Sequence, residues 1–402
     1  MSSPLFVLSM TESEKLVYEL SQQSFMPIWS FANPLNEQSK ELCDVLVVCD
    51  PDVIIFSVKD IKYKNTGRPA IDCERWHKAA VDESCKQLYG AERKLQTLSS
   101  IISSDGSRPY NLPDASRRKI HRIAVALGGH GRVPLTFGDF GKGFVHVLDE
   151  HAIRSLLGHL DTVTDFVSYL EQKLALFSNT MTMFSSEEDL LAFYVSNGDS
   201  FPELPTDIIL GENLWTSFQR APEFQALIEE RRVSYAVDGI LERIHTNFTD
   251  NNYRTAWAQD EKELCELELA ARTLAREDRV MRVEIGKRIV DLLDRTPRVD
   301  TRARVFCART SPIRYVFMTA PYNGNRELSF KELQARCLVA RGLDHSKTCV
   351  VGILIERVDE HDGDAVSMVY IDVSGWTDEW QQKMDLYQYE LGFFKNSKRT
   401  AG

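Results

Sequence analysis

In the stretch "ELCDVLVVCDPDVIIFSVKDIKY", Glu41 to Tyr63, two apolar runs are interrupted by an aspartate, a serine and a lysine. Asp44 stands near the start of the first run, Ser57 and Lys59 near the end of the second, and Asp50-Pro51-Asp52 lies between them. A carboxylate and an ammonium brought together in this way can hold a hard divalent cation and keep positive charge beside a phosphate. Both are requirements of phosphodiester hydrolysis. The same two groups can also form a plain ion pair, with the lysine stem lying on the sheet and its head in water. Unpaired charge in an apolar sheet is costly, so both readings demand that Asp44 and Lys59 find partners.

The elements that must position them follow from the flanking residues. Runs of Val, Ile and Phe around an Asp-Pro-Asp turn predict an antiparallel hairpin. With Asp50 and Pro51 at its tip, Asp44 falls opposite Ser57, and alternation along the strand puts Ser57 and Lys59 on the same face. A helix follows from Glu74 to about Leu98. Its inward stripe runs through Trp76, Ala80, Leu88, Ala91 and Leu95, with Ser84 and Gln87 on the same side. An inward glutamine needs hydrogen-bond partners, which either the hairpin or stray backbone at the sheet edge can supply. Lys62, Lys64, Arg68, Arg75, Lys78, Lys86, Arg93 and Lys94 outnumber the nearby acids. They form either a local groove for a polyanion or a solvated helix face.

The layout resembles the PD-(D/E)XK nuclease superfamily, in particular its nuclease-related (NERD) and Mrr-like branch. That pattern has a glutamate on a preceding helix, an aspartate on one hairpin strand, acid-x-lysine on the returning strand, and often a glutamine on the next helix. Here Glu41 or Glu37 lies upstream, Asp44 takes the aspartate position, Ser57-Val58-Lys59 the acid-x-lysine position, and Gln87 the helical glutamine. Ser57 departs from the pattern by replacing the acid, so the missing negative charge must come from another carboxylate, Glu41, Glu37 or Asp60. The resemblance covers residues from about 33 to 98 and implies a restriction-endonuclease-like αβ core. It implies a nuclease dependent on Mg²⁺ or Mn²⁺, with Asp44, Glu41, Glu37 and the Val58 carbonyl as metal ligands. Lys59, Ser57 and Gln87 would complete the catalytic group, and Lys62, Lys64, Arg68 and Lys86 would contact nucleic acid, DNA above RNA. Such domains are similar to effectors of antiviral or mobile-element defence, acting with a partner subunit or as homo-oligomers. The alternative is a catalytically silent nuclease fold that binds nucleic acid or assembles a complex.

Bulk composition bounds these expectations. The chain has 402 residues, 43% hydrophobic and 27% charged, with a formal net charge of -11. That balance excludes a disordered tail and whole-surface attraction to polyanions, so any nucleic-acid site must be local. Eight cysteines are scattered without CxxC pairs, which points to a reducing compartment and predicts a cytoplasmic protein without membrane partners. The nine histidines show neither HExxH nor zinc spacing with cysteine. "GGHGR" and "GDFGKG" read as turns, since neither has the strand-to-helix context of a phosphate loop.

The expected fold class is α/β (α+β) in three blocks. Residues 1–105 would form the nuclease-like domain, ended by the Ser/Gly/Pro/Asp-rich "SSIISSDGSRPYNLPDAS". Residues 115–298 would be a mixed, mostly helical domain, opening with strands over "HRIAVAL" and "GFVHVLD" and continuing with one long amphipathic helix over about 151–177 and helices over "NLWTSFQRAPEFQALIEERR" and about 260–293. Residues 299–402 would form a small α+β domain serving as a sensor or partner dock.

Overall fold

The computed structural model describes residues 10–104, 109–180, 182–203, 207–249, 261–307, 312–322, 326–344, 346–347, 349–357, 364–372 and 375–395. The chain is mixed α/β and divides into two compact units, Met1–Leu227 and Ile228–Gly402, in place of the three blocks expected.

The first unit opens with α1 (Glu12–Phe25), then β1 (Ser30–Ala32), β2 (Val45–Cys49) and β3 (Asp52–Asp60). β2 and β3 form the expected antiparallel hairpin, and β1 adds to the outer edge of β2. Next come α2 (Pro69–His77), a π turn over Lys78–Asp82, and α3 (Glu83–Leu95). β4 (Ser100–Ile102) and β5 (Pro109–Asn111) make a small antiparallel ribbon. β6 (Lys119–Leu127) then returns parallel to β3 and is itself paired with β8 (Phe144–Leu148), whose edge takes the short β7 (Gly138–Asp139). The sheet order is β1-β2-β3-β6-β8-β7. The stretch expected to end a domain therefore lies inside this unit, where the β4–β5 ribbon leads into β6 of the same sheet. Residues 105–108 of that stretch lie outside the described residues.

The sheet is covered on both faces, which is why its strands are apolar at nearly every position. Val45, Val47, Ile54, Phe56, Val58, Ile123 and Val125 face one core, shared with α4 (Glu150–His159) and α5 (Val163–Asn179). α3 packs on β3 and β6, and Ser57, of the alternate set in β3, meets Gln87 there. α4 and α5 replace the single helix expected over about 151–177. Their apolar stripes run in phase, but buried Thr162 caps α5 by accepting the Asp165 N–H at 3.0 Å, so the chain breaks there. Beyond them lie β9 (Thr182–Met183), α6 (Glu187–Ser196), β10 (Ile208–Ile209), α7 (Leu214–Arg220) and α8 (Pro222–Arg231). α7 and α8 split one expected helix, because Pro222 suits a helix start and not a helix interior.

The second unit contains α9 (Tyr235–Thr249), α10 (Glu261–Ala275) and α11 (Arg279–Asp294), the last started by the Asp278 cap. Its sheet runs β11 (Arg302–Phe306), β12 (Ile313–Pro321), β13 (Cys349–Arg357) and β14 (Ala365–Asp372), with α12 (Arg326–Gly342) and α13 (Asp378–Leu391). Both helices and strands thus lie within 302–391, inside a unit that begins earlier, at Ile228. Among the described residues, no helix is long and apolar enough to cross a membrane.

Candidate active site

Three segments meet at the open end of the hairpin. The β2–β3 ladder pairs Val45 with Phe56 and Cys49 with Asp52, which sets Asp44, one residue before β2, opposite Ser57. On the other flank, β1 pairs Ala32 with Val45, so Asn33 stands opposite Asp44 and donates its N–H to the Asp44 carbonyl at 2.9 Å. Between these points the chain folds back on itself. Leu42 N–H donates to the Pro34 carbonyl at 2.9 Å, and Leu35 bridges both Glu41 and Ile102. Glu41 and Asp44 are thus held by a hydrogen-bonded loop, not by a helix.

Asp44 is 8% exposed and Ser57 only 2%. Asp44 Oδ2 accepts the Val58 N–H at 2.5 Å, and the Ser57 hydroxyl donates to Gln87 Oε1 at 2.7 Å. In a strand the N–H and carbonyl of one residue share an edge, so the Val58 carbonyl lies on the Asp44 side. Lys59, half-buried, is two residues beyond Ser57 on the same face. Gln87 itself is exposed and reaches Ser57 from the flank of α3, whereas Leu88, Ala91 and Leu95 fill the buried stripe. The π turn before α3 shifts the helical phase, which an uninterrupted helix from Glu74 did not anticipate.

The electrostatics show which charges gather here. Burial raises the Asp44 pKa above its ordinary 3.8; the Val58 N–H, Lys59 and Ser57 oppose that rise, and Glu14 reinforces it. Glu41 is exposed as a residue, yet loss of hydration at its carboxyl raises its pKa above 4.5, helped by the charges of Asp44 and Glu14 and opposed by Lys59 and Lys94. The negative charge of Glu14 thus bears on both raised carboxyls, and such a concentration of negative charge is a place where a cation is favoured. The donors are hard oxygens, and buried Asn33 Oδ1, beside Asp44 in the β1–β2 pairing, has no hydrogen-bond partner. This oxygen-only donor set fits Mg²⁺ or Mn²⁺.

Of the residues expected from sequence, Asp44, Ser57, Val58, Lys59, Gln87 and Glu41 come together. Glu37 does not: it sits exposed in the turn closed by the Asn36 N–H to the Lys40 carbonyl, and it is absent from the principal charges acting on Asp44. A helical glutamate not singled out from the sequence, Glu14 of α1, bears on both Asp44 and Glu41; its Oε2 accepts the Thr11 N–H at 2.8 Å in a capping box. Thr11-x-x-Glu14 signals a helix start, and nothing local ties it to Asp44. Lys62, Lys64 and Arg68 are exposed after β3, and Lys62 lines a hollow of about 560 Å³ with Glu12, Asp60, Glu150 and Arg154. Lys86 is engaged by Glu83 at 2.6 Å. A larger hollow, about 750 Å³, runs along α3 past Lys86, Tyr89, Arg93, Arg122 and Lys142. Asp44 lines neither.

Two measurable consequences arise at this point. Ser57→Ala removes the bond to Gln87 and is expected to cost about 0.5–1.5 kcal/mol in urea unfolding. The second concerns pH. Because the folded-state values of Asp44 and Glu41 lie above 3.8 and 4.5, their contribution to stability is present below those values and lost as pH rises through the folded values. A bound cation acts in the opposite sense, since it needs the ionised forms. The rise in Tm produced by Mg²⁺ or Mn²⁺ should therefore be absent near pH 4 and grow on going upward. A metal-induced shift independent of pH over that range would contradict the raised carboxylates.

The tightest convergence of metal-ligating side chains lies elsewhere. Asp52, His121 and Glu171 offer ligand atoms all within 4.8 Å of one another and could hold a metal ion; among the described residues no second group of three is drawn this close. The Asp44 carboxylates are looser, so a cation there would also depend on the Val58 carbonyl, on Asn33, or on closure around substrate. No family model, curated protein or solved structure matches this chain.

Proposed function

We propose that the chain is a divalent-metal-dependent nuclease acting on DNA, or on RNA, from the open end of the β2–β3 hairpin. The observation that carries this reading is the register that sets buried Asp44 against Ser57-x-Lys59, with Gln87 bonded to Ser57 and the charges of Glu14 and Glu41 bearing on the same place. A glutamate on a preceding helix, an aspartate, x-lysine on the return strand and a helical glutamine are the parts the superfamily resemblance requires. Glu14 and Glu41 answer for the acid that Ser57 lacks.

Asp44, Glu41 and Glu14, with the Val58 carbonyl, would hold Mg²⁺ or Mn²⁺. When bound, the cation neutralises phosphate charge and lowers the pKa of the attacking water. Asp44 is oriented for this by the Val58 N–H, which fixes one carboxylate oxygen. Lys59 orients the attacking water, or stabilises negative charge building on the phosphate, from the strand end. Gln87 and Ser57 hold each other in place on the α3 side. The hollow along α3, the helix that carries Gln87, would offer a phosphate backbone the cations Arg93 and Lys142.

A second reading is favoured by one observation, the loose spacing of the Asp44 carboxylates. On that reading the fold binds nucleic acid without cutting it. Purified protein incubated with plasmid, linear DNA and RNA, in Mg²⁺, Mn²⁺ or chelator, separates the two. The nuclease reading expects cleavage that chelator abolishes; retarded but intact nucleic acid in every condition would support the silent fold. A role in antiviral or mobile-element defence rests on analogy with such effectors and is tested by whether Asp44→Asn abolishes protection or toxicity in cells.

A further inference from the structure

We infer that the other end of the same sheet carries a separate site for a borderline transition cation of the Zn²⁺ class, held by Asp52, His121 and Glu171. Asp52 opens β3, and the parallel register pairs Asp52 with Lys119 and Ile54 with His121, so Asp52 and His121 share a face as diagonal neighbours. Both are buried, 2% and 9% exposed, and His121 Nε2 lies 2.9 Å from Asp52 Oδ1. α5 brings Glu171 over this face with its side chain about half exposed, its carboxylate 3.1 Å from Lys119 Nζ.

The geometry is close to that of a three-ligand zinc site. The three ligand atoms fall within 4.8 Å of one another. His121 Nε2 and Asp52 Oδ1 already stand 2.9 Å apart, so a cation bonded to both at the roughly 2.0–2.2 Å typical of zinc needs only a small opening of that contact and the approach of the Glu171 carboxylate. Two carboxylates match the charge of a dication. The imidazole nitrogen selects a transition ion over Mg²⁺, which sets this group apart from the all-oxygen donors at Asp44. The exposed Lys119 contact is a weak competitor for Glu171.

A second observation comes from β8. Ile123 pairs with His146, which puts His146 on the same sheet face, diagonal to His121 on the adjacent strand. His146 is 5% exposed, and its buried Nδ1 has no hydrogen-bond partner. Buried polar atoms are rarely left in that state, and those that are need an explanation such as an unseen ion. A cation at the neighbouring Asp52–His121–Glu171 group, with an ordered water between it and His146, would supply one.

This inference is independent of the nuclease reading, and the test keeps the two apart. The full-length protein is stripped with chelator, dialysed, and titrated with Zn²⁺, then with Co²⁺ as a coloured probe, in parent, Glu171→Gln, His121→Gln and Asp44→Asn forms. The parent should retain one Zn²⁺ through dialysis and show the intense visible absorption of four-coordinate Co²⁺. Glu171→Gln, at an exposed position that leaves the core intact, should weaken Zn²⁺ by more than about 10-fold. His121→Gln should abolish the Co²⁺ spectrum, and Asp44→Asn should leave binding unchanged. Failure of the parent to retain Zn²⁺, or a Glu171→Gln protein that binds as the parent does, overturns the site. So does loss of Zn²⁺ confined to Asp44→Asn.

Discussion

Asp44→Asn is expected to lower Mg²⁺-dependent strand cleavage by about 100- to 1000-fold while the protein stays folded. Asparagine keeps an oxygen that can accept the Val58 N–H, so the strand end is preserved. What disappears is the charge that, with that of Glu14, disfavours ionisation of Glu41. Asp44→Ala is a less clean variant. It also orphans the Val58 N–H, at a cost of about 1–3 kcal/mol, and loss of activity would then mix with loss of stability. Initial rates of plasmid nicking, read beside urea unfolding of the same samples, separate the two effects. An Asp44→Asn protein that nicks at the parental rate would show that the aspartate is only a strand cap.

Lys59→Met should produce a loss of similar size, about 100- to 1000-fold in rate, with a different signature. Lys59 opposes the raised pKa values of both Asp44 and Glu41, so its charge is felt across the group. Methionine preserves the stem on the sheet and deletes the charge. Affinity for Mn²⁺ should then be maintained or tightened, because a competing cation has gone, while the rate collapses. Mn²⁺ binding and nicking measured on one preparation give this split. If Lys59→Met instead keeps its rate and loses only stability, the lysine belongs to a structural ion pair.

The legible parts of the molecule were those written locally. Asp50-Pro51-Asp52 between Val/Ile/Phe runs fixed the hairpin and its register, and Asp44 and Ser57 stood out because a sheet buried on both faces leaves few polar positions. The helix over Ile153 to Leu174 was visible as an apolar stripe, yet its break was not, since the stripe continues in phase through Leu160 and Val163 while Thr162 caps a new helix. Long-range pairing left no local mark. β6 returns to β3 across α2, α3 and the β4–β5 ribbon, and the polar stretch before it looked like a linker because turns and linkers share a composition. The site was legible to the same degree. Asp44, Ser57, Lys59 and Gln87 are neighbours in sequence or on adjoining elements. Glu14 arrives on α1 from the other side of the hairpin, and Asp52, His121 and Glu171 come from three separate elements with no spacing to announce them.

The most direct test of a cation held at Asp44 is iron-directed cleavage of the chain itself. Fe²⁺ bound in place of Mg²⁺, with ascorbate and peroxide, cuts the backbone beside its ligands, and the fragments map the site without any need for substrate or activation. The account predicts cuts beside Glu41 to Asp44 and beside Val58, suppressed by excess Mg²⁺ and absent in Asp44→Asn. Cuts that map only beside Asp52, His121 and Glu171, or that persist unchanged in Asp44→Asn, would contradict it.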